Sequence, residues 1–295
     1  MPTETFSYGE DHDLQTVTVT TLSETSHKGY WIILIHGGAW RDPDITSLNF
    51  ANPAESLLAS SPTYAHTQRH IAAFASISYR LSPTPNNPQN PLSTNPREYR
   101  GSKHPDHIND VQSALAFLQR EYGFGEQYIL VGHSCGGTLA FQSVMGRFSA
   151  GVSHGPVAVL GLSGIYDLKL LRDTFKGISV YQDIGEGAFG ADEAIWDAVS
   201  PAVVLGKDGV EGGWGSGRLA VLAYSSEDSL VDAKQWEVMR TALLDRWVKE
   251  QSPVQKRSVE MLSLKGQHDE CWETGEELAR AIAFTIEKLQ EMISA

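Results

Sequence analysis

What most constrains the fold of this chain is a series of short apolar runs separated by longer stretches of helical period. The runs Val17–Thr21, Tyr30–Ile35, Ala72–Ser78, Tyr128–Val131, Val157–Leu162, Leu219–Tyr224 and Ser258–Leu262 are rich in β-branched and aromatic residues. Several are apolar nearly throughout rather than alternating, a pattern that suits a strand only when both faces of its sheet are covered. Between them, Asp106–Arg120 places Ile108, Val111, Ala114 and Leu118 on one helical face. Thr138–Arg147, Asp232–Lys249 and Thr274–Met292 have the same period. Strands alternating with helices predict an α/β fold, a mostly parallel central sheet with helices on both faces.

Two stretches break the alternation. Ser82–Lys103 is dense in Pro, Asn and Ser and predicts an irregular surface excursion. Gly177–Trp196, inside a longer insertion spanning about 163–215, reads as irregular too. With no repeat and no linker, the 295 residues are expected to form one domain. A domain of that size buries roughly 75% of its unfolded surface, so it needs no disulfide or metal to hold it.

Composition narrows the function. With 41% hydrophobic residues the chain is not a disordered one. Its 36 acidic residues against 23 basic ones give a net charge of −13, the wrong sign for phosphate backbones or an acidic membrane surface. No run approaches the roughly 20 apolar residues of a membrane span. The first residues, MPTETFSYGE, have neither the basic start nor the apolar stretch of a secretory signal. Two cysteines, Cys135 and Cys271, are too few for a disulfide framework, and no His/Cys/Asp/Glu group has metal-ligand spacing. The expectation is a cytoplasmic protein with a small-molecule partner and neither cofactor nor metal. If it oligomerises, a homodimer is the commonest form.

The chemistry concentrates in Gly132-His133-Ser134-Cys135-Gly136-Gly137, directly after one strand and directly before a helix. A serine on so sharp a strand-to-helix turn projects its hydroxyl at the sheet's carboxyl edge, and flanking glycines relieve the crowding. The helix N-terminus offers the Cys135 N–H to an oxyanion. Upstream, His36-Gly37-Gly38-Ala39-Trp40 follows the strand Tyr30–Ile35, and its glycines let the Gly38 and Ala39 N–H groups turn toward a reacting carbonyl. A serine nucleophile needs a base, and the base an orienting carboxylate. In doubly wound hydrolases these follow in the order Ser, Asp, His. Asp228 and His268 lie after the last two strands, with Glu227 and Asp232 as rival acids; Asp232 also reads as a helix cap. Of the ten histidines only His268 falls late enough. His133 should turn away from the hydroxyl, and His36 should brace the glycine loop. Cys135 contributes its backbone rather than its thiol, and Cys271 reads as a small buried residue.

Taken together, these residues resemble the α/β-hydrolase superfamily, near the hormone-sensitive-lipase-like esterases. Tyr79-Arg80-Leu81-Ser82-Pro83 ahead of the helix from Asp106 is similar to a block of that branch. The pattern HGG-x-W at His36–Trp40 is that of kynurenine formamidases, particularly fungal ones. Leu162–Leu168 and Ser200-Pro201 look similar to the same group, so the likeness runs from about Ile33 to His268. It implies Ser134 as nucleophile, Asp228 and His268 as its relay, and Gly38 with Ala39 as oxyanion donors. It also implies Trp40 as a wall of the substrate pocket, although plain core packing would suit that residue equally. The implied reaction is hydrolysis of N-formyl-L-kynurenine to L-kynurenine and formate, in tryptophan catabolism and NAD biosynthesis. A small-acyl carboxylesterase would use the same machinery, and a non-catalytic ligand-binding relative would have no need of His268.

Overall fold

The structure, a computed structural model, describes residues 2–22, 29–148, 153–251 and 255–294. Its centre is an eight-stranded sheet of order β1-β2-β4-β3-β5-β6-β7-β8. The strands are Thr3–Ser7 (β1), Thr16–Thr21 (β2), Tyr30–Ile35 (β3), Ile71–Ile77 (β4), Tyr128–His133 (β5), Ala158–Leu162 (β6), Leu219–Ser225 (β7) and Ser258–Leu264 (β8). β1 and β2 are antiparallel to their neighbours, and every other pairing is parallel. The α/β expectation holds.

The unbroken apolar strands are explained by a core on each face. Along β3, Trp31, Ile33 and Ile35 join one hydrophobic cluster, whereas Tyr30, Ile32 and Leu34 join the other. β5 divides likewise, with Tyr128 and Leu130 on one side and Ile129 and Val131 on the other. The helices Asp106–Tyr122 and Cys135–Gln142 cover the first face, and Ser47–Ser60 and Glu276–Ser294 the second. Each buried Leu, Ile or Val in these layers contributes about 1.5–3 kcal/mol from apolar burial, so neither face could be left bare.

Three features differ from the sequence expectation. β1 is an additional strand: exposed, polar and at the sheet edge, it pairs Thr3 to Ser7 with β2 and so carries no apolar signal. The helix Ser47–Ser60 holds Pro53 in its interior, which hides its period. It starts at a capping box in which Thr46 Oγ1 accepts from the Asn49 N–H and Asn49 Oδ1 from the Thr46 N–H.

The third is a correction. The segment 163–215 is not irregular: it contains the helices Leu168–Thr174, Ser179–Phe189 and Glu193–Val199. Asp167 and Asp192 cap the first and third by accepting from the N–H groups of Leu170 and Ala194. Gly185 and Gly187 mask the second. Gly185 is required there, because a Cβ would lie 2.4 Å from the Trp196 ring. By contrast, the 82–103 stretch forms neither helix nor strand. It is anchored at its ends by Ser82, whose hydroxyl reaches the Ser102 carbonyl at 2.8 Å and His107 Nε2 at 3.0 Å.

Candidate active site

The site assembles where β3, β5, β7 and β8 end, the carboxyl edge at which ligands bind in open parallel sheets. Ser134 follows β5 with φ 53° and ψ −122°, a conformation that L-residues rarely adopt. Its N–H donates to the Leu162 carbonyl at 2.9 Å, which fixes the turn against β6. The glycines are obligatory here. A Cβ on Gly132 would lie 2.2 Å from the Gly136 carbonyl oxygen, and one on Gly136 would lie 2.2 Å from that of Ile35. Between two backbones that close, only glycine fits.

His268 and Asp228 form a pair, with His268 Nδ1 2.8 Å from Asp228 Oδ2. The other carboxylate oxygen accepts from the N–H groups of Leu230 and Val231, each at 3.0 Å. Burial pushes the Asp228 carboxyl up, but the hydrogen bond and charge of His268, with the Val231 N–H, outweigh it and hold the group below its ordinary range. The rival acids are engaged elsewhere. Glu227 accepts from the Gly266 N–H, and Asp232 caps the next helix through the Lys234 N–H. Ser134 and His268 line the same cavity of about 390 Å³.

His36-Gly37-Gly38-Ala39 runs beside the serine. A Cβ on Gly37 would lie 2.6 Å from His133 Nδ1 and 3.2 Å from Ser134 Cβ, so a larger residue there would push His133 or the loop out of place. Gly38 and Ala39 have φ of 91° and 50°, and both line the cavity. The Gly38 N–H has no hydrogen-bond partner among the described residues, and the Cys135 N–H meets only its own sulfur. The Ala39 N–H is turned toward the Cys135 sulfur, beside that of Trp40, which donates to it at 3.3 Å. His36 braces the loop through its Nδ1, 2.9 Å from the Gly37 carbonyl, and stacks on Tyr79. Burial lowers His36 to about 4, so it is neutral at physiological pH.

The thiols are structural. Burial raises Cys135 to about 11, far above a catalytic thiolate. Cys271 is buried, and its sulfur lies 3.0 Å from the His268 carbonyl. His133 points away from solvent, its Nε2 3.0 Å from that same carbonyl. His133, His268 and Asp269 do bring potential metal-ligating atoms within 4.8 Å of one another, a grouping that arises only when the turn after β8 folds onto the elbow and that no sequence spacing announces.

Trp40 is the residue whose place differs most from the implied one. It is fully buried, lies edge-on to Phe189 at 5.0 Å, and is absent from the cavity wall. Its φ is 60°, and its side chain joins the core cluster on the face that carries Trp31, Ile33 and Ile35. The wall is built instead from Arg41, Tyr181 and Val231, which no motif marks, and from Ile165 of the Leu162–Leu168 stretch. Two of these carry a sequence signal: Arg41 directly follows the glycine loop, and Ile165 lies in the family-like stretch.

The strand order, the strained serine after β5 and the His–Asp pair after β8 and β7 define an α/β-hydrolase. Solved structures agree on the fold. The acetyl ester-xyloside bifunctional hydrolase of Caldicellulosiruptor lactoaceticus has a TM-score of 0.64 at 15% identity, over 99% of this chain and 96% of that one. Esterase B of Lactobacillus rhamnosis has a TM-score of 0.63 at 16% identity, over 99% and 88%. No family model matches the chain. Among curated proteins, a kynurenine formamidase-like hydrolase of Fusarium equiseti is 42% identical over 270 residues, 90% of this chain and 86% of that protein. A kynurenine formamidase of Aspergillus versicolor is 33% identical over 279 residues, 88% and 90%. The chain belongs to the kynurenine formamidase family.

Proposed function

We propose that this protein hydrolyses N-formyl-L-kynurenine to L-kynurenine and formate in the cytosol, by acyl transfer through Ser134. The observation that carries the reading is Ser134 held on a strained turn in one cavity with His268, whose far nitrogen is bonded to Asp228. In this reading His268 takes the Ser134 proton as the hydroxyl oxygen attacks the formyl carbon. The oxyanion forms against the N–H groups of Gly38 and Cys135, each worth about 3 kcal/mol of barrier, whereas the Ala39 N–H, implied as a third donor by the resemblance, is turned onto the Cys135 sulfur. His268 then returns the proton to the departing aryl amine, and water, activated by the same histidine, releases formate. Formyl is the smallest acyl group, so little space is needed beyond the serine. The chemistry calls for no cofactor. Named relatives of the formamidase family support the substrate.

The test is kynurenine release from N-formyl-L-kynurenine beside cleavage of p-nitrophenyl acetate, for wild type and Ser134→Ala. The expected result is efficient formamide turnover, slow ester cleavage, and loss of both by roughly 10⁴-fold or more in the variant. Fast ester cleavage without formamide turnover would make the protein a small-acyl esterase. Activity that survived Ser134→Ala would remove the serine mechanism altogether.

A further inference from the structure

Arg41 stands at the junction of two cavities. It lines the 390 Å³ chamber that holds Ser134 and His268, and also an adjoining one of about 590 Å³ roofed by the 82–103 excursion. Its side chain is half-buried, yet among the described residues it makes no hydrogen bond or ion pair. Carboxylates are near enough to act on it: Asp183 and Asp42 both favour its charge, while burial opposes it. Neither closes onto it. Asp42 instead accepts from the Asp44 N–H at 2.9 Å, which holds that carboxylate in its own turn.

A half-buried guanidinium without a partner is incompletely solvated, and its planar fork matches a carboxylate with two parallel hydrogen bonds. The position is fixed by the chain itself. Arg41 is two residues beyond Ala39, and its N–H donates to the Gly38 carbonyl at 2.9 Å. Arg41 therefore lines the same chamber as the glycine loop and Ser134, the chamber into which a substrate attacked by the serine must extend. The chamber wall also carries Asp42, Asp44 and Asp269, so an ammonium group beside that carboxylate would find opposite charge.

We infer that Arg41 is a specificity-determining residue that binds the free carboxylate of an α-amino-acid leaving group, so that the enzyme selects formamides of amino acids over neutral aryl formamides. This inference rests on the formamidase reading and sharpens it.

Steady-state kinetics of wild type, Arg41→Met and Arg41→Lys on N-formyl-L-kynurenine and on its decarboxylated analogue test it. Methionine keeps the length and apolar contacts of the stem but removes the charge. Arg41→Met is expected to raise KM for N-formyl-L-kynurenine about 10- to 100-fold, as for loss of a charged hydrogen bond, with kcat within about threefold. The decarboxylated formamide should bind wild type and Arg41→Met alike within about twofold, and Arg41→Lys should recover part of the loss through its charge. An equal loss on both substrates, or an unchanged KM in Arg41→Met, overturns the carboxylate role while leaving the formamidase reading in place. Wild type that cleaves p-nitrophenyl acetate but neither formamide overturns both.

Discussion

At the scale of single residues, the site is held by exclusions as much as by bonds. Gly132, Gly136 and Gly37 are fixed by backbones and side chains closer than any Cβ tolerates, which is why the glycine-rich spelling, set between a strand and a helix, reads as a serine turn. Asp228 is less legible. Three acids within six positions could each follow β7, and only the fold separates them: Asp228 faces His268, Glu227 faces Gly266, and Asp232 caps a helix. Trp40 is half legible: core packing and a place in the pocket wall suit the sequence equally, and only the fold puts it in the core. The Asp228 pairing makes a sharp prediction. Asp228→Asn preserves shape but presents an N–H or a weaker acceptor to Nδ1, so His268 loses the tautomer and charge balance that a general base needs. The expected loss in kcat is about 10⁴-fold with KM nearly unchanged, whereas Glu227→Gln stays within about threefold. Comparable kinetics for the two variants would remove Asp228 from the relay.

At the scale of elements, the helix Ser179–Phe189 ties together loops that sequence presents as unrelated. Its Tyr181 hydroxyl donates to the Leu230 carbonyl at 2.8 Å, two residues beyond Asp228. Its Phe189 packs on Trp40, at the end of the glycine loop. Val180, Tyr181 and Ile184 present a wall to the chamber. Three short helices are invisible to periodicity because each spans too few turns to build a pattern and two glycines interrupt the longest. The strands and the longer helices are visible because burial on both sheet faces writes itself into composition over whole segments. Gly185→Ala tests whether this helix positions the wall. The added methyl meets the Trp196 ring at 2.4 Å and must push the helix outward. The expected cost is about 1–3 kcal/mol of stability, with KM for the formamide rising several-fold and kcat changing less. Unchanged melting and kinetics would mean that Trp196 simply moves aside and that the wall does not depend on it.

At the scale of the whole molecule, the buried ionisable groups set a pH dependence with two opposing arms. His36, His107 and His133 are buried. Burial lowers His36 to about 4 and His107 to about 3, and together with His268 holds His133 well below its ordinary value. Each is neutral when folded but takes up a proton near pH 6.5 once unfolded. Their contribution is therefore complete above that pH and is lost as pH falls toward the folded values. At pH 5 the loss is roughly 2 kcal/mol for each of His36 and His107, with His133 adding to it in the same direction. Glu55 acts the other way. Burial raises it from 4.5 to about 7, with Thr20 opposing the rise, so its folded form prefers the proton. The stability it contributes is present in acid and is lost as pH climbs from about 4.5 through 7, on the order of 3 kcal/mol. Between pH 7 and 5 the three histidines outweigh one carboxyl, so the wild-type Tm should fall on acidification. Glu55→Gln removes the opposing arm. That variant should melt higher than wild type at pH 8, lose its advantage toward pH 5, and fall more steeply in between. Thermal melts of both proteins at pH 8, 7, 6 and 5 read the difference directly. A wild-type Tm that rose into acid would mean that the buried histidines reach solvent when protonated. Parallel curves for the two proteins would mean that Glu55 is already solvated in the folded state.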